Sequence, residues 1–185
     1  MADTCDIMRN LIMVCLAVIL PGLIANSAQT KEAVLDGIVR AIAEKEPEWQ
    51  GGKVHSMPGT PDPDRFRGTL HDFEWKRKDR IATLATLQIF YGDSEEDAVR
   101  MLEWSQMILS VNESEPLENI GERAYQYAKN GNSWITFRKG KIFAEVSVSL
   151  VDLRTADKAS LQTLDLTVEA RETAKRFAQH VANQI

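Results

Sequence analysis

The stretch Arg123–Val151 limits the possible folds more than any other part of this chain. Three short runs of strand-forming residues, Arg123–Ala128, Ser133–Arg138 and Lys141–Val151, are joined by Asn130-Gly131-Asn132 and by Lys139-Gly140. Gly and Asn accept the positive φ that two-residue hairpins demand, so the three runs must lie side by side and antiparallel. In the last run Ile142, Ala144, Val146, Val148 and Leu150 alternate with Lys141, Glu145, Ser147 and Ser149. A period of two predicts a strand with its apolar side on a core and its polar side toward solvent. The rest of the chain must supply the cover for that apolar side.

Two further strands are predicted at Thr69–Lys76 and Arg80–Tyr91, with Arg77-Lys78-Asp79 at the turn. His71, Phe73 and Trp75 alternate with Asp72, Glu74 and Lys76 in the first. The second has Ile81, Leu87 and Ile89 on one side and Leu84 and Phe90 on the other, the pattern of a central strand covered on both faces. Three amphipathic helices are available as covers. Thr30 caps one that runs to about Glu46, with Val34, Leu35, Ile38, Val39 and Ile42 in a stripe and Pro47 as its stop. Ser94-Glu95-Glu96-Asp97 resembles a capping box and opens a second, which runs to Leu109. The third spans Asp165–Gln184 and aligns Ala170, Ala174, Phe177, Ala178, Val181 and Ile185. From Pro47 to Gly68 the chain is rich in Gly and Pro and reads as irregular, with one short strand near Lys53–Met57. The expected class is α+β: a mainly antiparallel sheet of five or six strands with three helices, in the order α-β-β-α-β-β-β-α.

The segment GERAYQYAKNGNSWITFRKGKIFAEVSV, residues 121–148, resembles exported bacterial domains of uncharacterised function. The order of elements is similar to the PsbP/Mog1-type α/β/α sandwich, in which an antiparallel sheet lies between helices. That resemblance implies an adaptor or accessory role and carries over no catalytic residue.

The N-terminus gives the chain an address. Leu11–Leu20 is a nearly unbroken apolar run, broken by Pro21-Gly22 and followed by the small residues Ala25, Ser27 and Ala28. This is the pattern of a cleavable secretory signal over residues 1–28, and the run is too short for a membrane span. Asp3 and Asp6 spoil the expected positive start, which a start at Met8 (Met-Arg-Asn) would restore. An uncleaved anchor is the main alternative. Ile12-Met13-Val14-Cys15 also resembles a lipobox, although Val14 is too large for the position before the cysteine. Residues 29–185 then form a single α+β domain, exported and without a membrane span.

Cys5 and Cys15 both precede residue 29, so the exported part has no disulfide and no thiol nucleophile. The formal net charge of −5 argues against a nucleic-acid partner. His55, His71 and His180 are the only histidines and show no metal-ligand spacing. Asp62-Pro63-Asp64 lacks the further ligands of a calcium loop. No cofactor motif, metal set or catalytic constellation is present. The residues predicted to carry function form a basic patch at the hairpin tip: Lys76, Arg77, Lys78 and Arg80, with Arg65 and Arg67 shortly before. Such a patch suits an acidic protein or an anionic surface polymer. The expectation is an exported, non-enzymatic accessory or binding protein of the cell envelope or extracellular space. Its rivals are a small-ligand binder with a pocket at the 47–68 loop and an unrecognised hydrolase.

Overall fold

The computed structural model describes residues 30–53, 55–57, 66–78, 83–109, 113–150 and 161–185. The predicted signal lies outside them. The chain divides into two compact units, residues 1–36 and 37–185. Of the first, Thr30–Asp36 are described. There the Thr30 carbonyl accepts from the amides of Ala33 and Val34, and its hydroxyl lies 3.4 Å from the Ala33 nitrogen. These bonds start helix α1 (Lys31–Lys45), which crosses into the second unit.

The second unit contains the strands β1 (Trp49–Gly51), β2 (His55–Met57), β3 (Gly68–Arg77) and β4 (Thr83–Gly92), then helix α2 (Glu95–Ile108). After these come β5 (Glu115–Leu117), β6 (Arg123–Lys129), β7 (Asn132–Lys139), β8 (Ile142–Leu150) and helix α3 (Leu161–Ala182). The strands form one antiparallel sheet in the order β1-β3-β4-β8-β7-β6-β5, with β2 beside β1 on the free edge of β3. The fold is α+β, with the predicted order of its main elements.

The sheet has eight strands where five or six were expected. The additions are β1 and β5, each three residues long. Segments so short show no periodicity, and they become strands only because β3 and β6 offer unpaired backbone edges. Among the described residues of the Pro47–Gly68 stretch, β1 and β2 pair along the β3 edge.

The hairpins follow from turn chemistry. Asn130 and Gly131 have φ of 54° and 75°, the pair of left-handed residues that a type I′ turn requires between β6 and β7. Gly140 alone is left-handed between β7 and β8. At the start of α2 the Ser94 hydroxyl accepts from the Asp97 amide at 3.2 Å, and the Ser94 amide donates to the Asp97 carboxylate at 3.1 Å. This closes the predicted capping box. The hydrogen bond from the Ser94 hydroxyl is the largest of the effects that hold the Asp97 carboxyl below its ordinary range.

Register decides the two faces of the sheet. On the first face lie Phe73 and Trp75 of β3, Ala85, Leu87 and Ile89 of β4, Ala144, Val146 and Val148 of β8, and Ile135 and Phe137 of β7. All are buried. Helix α3 packs along this face over β6, β7 and β8, burying Ala170, Ala174, Phe177, Ala178 and Val181. Phe177 meets Trp49 and Trp75 edge-on, with ring centroids 5.3 and 5.8 Å apart. This is the main core.

The second face is divided. Helix α2 crosses β4, β7 and β8 and covers Leu70, Phe90 and Phe143 with Ala98, Met101 and Leu102. Away from that cluster the face is polar and half-buried.

Candidate functional site

The polar part of the second face is built from successive rows across the strands. Next to the apolar cluster, Asp72 pairs with Gln88, Gln88 with Glu145, Glu145 with Thr136 and Thr136 with Tyr125. The following row runs Glu74, Thr86, Ser147, Trp134 and Tyr127. Because side chains alternate, every residue in these rows points to the α2 side of the sheet. Gln88, Glu145, Thr86, Ser147, Trp134 and Tyr127 are all half-buried.

The hydrogen bonds in these rows are local. Thr86 and Ser147 share one between their hydroxyls at 2.7 Å. From α2 the Ser105 hydroxyl donates to the Glu145 carboxylate at 3.0 Å. Ser105 is buried, and the low-dielectric surroundings raise the Glu145 carboxyl above its ordinary value despite that bond. Asp72 Oδ1, in the first row, is buried and makes no hydrogen bond. Native proteins rarely leave such atoms unpaired. Trp134 and Tyr127 put their rings 5.5 Å apart at 34°. Hydroxyls, carboxylates, the Gln88 carboxamide and two aromatic faces therefore share one surface.

Glu145 gives a pH signature. Below about 4.5 its carboxyl is protonated in both the folded and the unfolded chain, and its burial costs nothing extra. As pH rises from there through the raised value, the unfolded chain releases its proton first, so stability falls. Glu145→Gln is expected to abolish this loss, with urea melts of variant and native chain diverging as pH rises above 4.5. Parallel stability curves across that range would mean that Glu145 ionises as readily folded as unfolded.

The basic patch predicted from sequence is not assembled as one cluster among its described members; Arg65 and Arg80 lie outside the described residues. Arg67 precedes β3 while Arg77 ends it, and ten residues of strand separate them by about 30 Å. Lys76 and Arg77 point to opposite faces. Lys76 pairs with Glu74 at 3.1 Å, Arg77 with Glu169 of α3 at 2.8 Å, and Lys78 Nζ donates to the Pro47 carbonyl at 2.9 Å. Arg77 thus ties the end of β3 to α3.

A second cluster of titratable groups was missed. Glu46, just after α1, is buried, and its carboxylate accepts from Arg176 Nε at 3.0 Å and Arg176 Nη2 at 3.3 Å. His180 Nε2 lies 3.1 Å from the same carboxylate. The His180 side chain is only 16% exposed. Arg176 and His180 are one turn apart on α3, so both reach a single partner. Glu46 lies 130 positions from Arg176 and 134 from His180 in the chain. His71 is buried on the first face, edge-on to the Tyr91 ring at 5.7 Å. Among the described residues no group of three or more His, Cys, Asp or Glu is placed to hold a metal ion. None of the described helices is long and apolar enough to cross a membrane.

No known protein family and no curated protein matches the chain. A GTP binding regulator from Thermotoga maritima is similar in structure over 81% of this chain and 85% of its own, with 11% identity and a TM-score of 0.45. A likeness at that level carries no argument about this chain.

Proposed function

We propose that this chain is an exported, non-enzymatic binding protein of the cell envelope or extracellular space, and that its ligand lies on the polar part of the second sheet face. The observation that carries the reading is the row Glu74, Thr86, Ser147, Trp134 and Tyr127, which gathers hydrogen-bonding groups and two rings on one surface. A strand face meant only for solvent has little use for a tryptophan, and one meant only for core has little use for Thr, Ser and Glu. Ligand sites combine the two. Export is supported by the apolar run Leu11–Leu20 with Pro21-Gly22 and the small residues after it.

Both parts of the proposal are open to test. The protein recovered from the periplasm or culture medium should begin between Asn26 and Gln29 by intact mass. A membrane-bound form retaining Met1 or Met8 would end the export reading. Co-sedimentation with isolated envelope material should be lost in Trp134→Ala and survive the triple change Arg77→Ser, Lys78→Ser and Arg80→Ser. The opposite pattern would move the binding surface to the basic hairpin tip.

A further inference from the structure

Building on that reading of the second sheet face, we propose that its ligand is a neutral oligosaccharide lying across the row from Trp134 and Tyr127 to Glu74. A sugar ring has an apolar C–H face and a rim of hydroxyls, so it needs an aromatic surface beside groups that both donate and accept hydrogen bonds. Trp134 and Tyr127 supply the surface, half-buried and set side by side on neighbouring strands. Thr86 and Ser147 come next in the same row. Their mutual bond uses one donor and one acceptor, which leaves a further O–H and several lone pairs for a ligand.

Charge selects a neutral ligand. Asp72, Glu74 and Glu145 place three carboxyl groups in the two rows. Lys76, two residues along β3 from Glu74 and on the same face, is held in an ion pair with it. A phosphate or an acidic polymer would meet repulsion there, whereas sugar hydroxyls donate well to carboxylates. A quaternary ammonium is also a poorer fit, because it is bound by aromatic faces that surround it. These two rings share one side of one sheet. The row from Trp134 to Glu74 crosses four strands, about 14 Å, which is longer than a single pyranose ring and calls for an oligomer.

The test uses the protein as recovered from the producing cells, titrated calorimetrically with cellotetraose, chitotetraose and maltotetraose. Tetramethylammonium and inorganic phosphate serve as the competing ligand classes. At least one tetrasaccharide should bind, with little dependence on salt. Affinity should fall roughly tenfold or more in Trp134→Ala, as for a central aromatic contact, and be largely kept in Trp134→Phe. Thr86→Ala should weaken binding while leaving the midpoint of the urea melt close to native. No saccharide binding up to about 10 mM, or binding indifferent to Trp134→Ala, overturns the proposal. Amide NMR shifts separate the two levels of failure. If tetramethylammonium or phosphate binds and moves the amides of Trp134 and Ser147 where no sugar does, the surface stands and the sugar is wrong. If a sugar binds but moves amides elsewhere, both are wrong.

Discussion

Val146→Asp should leave the chain unable to hold its native fold. Val146 has no exposed surface and sits at the centre of β8, paired with Leu87 on one side and Ile135 on the other. All three point into the main core under α3. The substitution removes buried aliphatic surface worth about 1.5–3 kcal/mol and inserts a carboxylate with no partner. Together these should exceed about 4–5 kcal/mol, comparable with the whole stability of many domains of this size. Ser147→Asp is the internal control. Ser147 points to the other face, where it is half-buried and bonded to Thr86. Its replacement forfeits that bond and adds a fourth carboxylate to the rows that hold Asp72, Glu74 and Glu145, for a loss of about 1–2 kcal/mol. Urea melts decide between them. If Ser147→Asp proved the more damaging, β8 would be shifted by one residue, and every residue assigned to the polar rows would change face with it.

The second large effect is expected at the brace between the end of α1 and α3, and it should be asymmetric. The Glu46 carboxylate is only 5% exposed, while the Arg176 side chain is 50% exposed. Arg176→Ala leaves a buried carboxylate with only His180 Nε2 beside it, and should cost about 2–4 kcal/mol. Glu46→Ala leaves a guanidinium that water already reaches, and should cost about 1–2 kcal/mol. The double variant should be no worse than Arg176→Ala alone, because the stranded charge is gone. A double-mutant cycle by urea denaturation measures this coupling. Additive losses, or a larger loss from Glu46→Ala, would show that the two side chains act independently.

Sequence alone was sufficient wherever the cause was local. The Asn130-Gly131 turn, the Ser94–Asp97 capping box and the alternation through β8 each depend on residues within a few positions of one another, and each is where the sequence puts it. The first face of the sheet was readable for the same reason, since Leu87, Ile89, Val146 and Val148 repeat with the period of a strand. The second face was not. Glu145, Ser147 and Ser149 read as plain solvent-facing residues. Only the packing of α2 buries Ser105 against Glu145, a pairing forty positions apart in sequence. Only the pairing of β6, β7, β8 and β4 sets Trp134 in a row with Ser147 and Thr86. The basic residues show the opposite case. Crowded in sequence, Lys76 and Arg77 are divided by the pleat and claimed by Glu74 and Glu169. Periodicity reports which way a side chain points but not what it meets. Partners 40 to 130 positions away are chosen by strand register and helix packing, and those were settled by the tertiary structure.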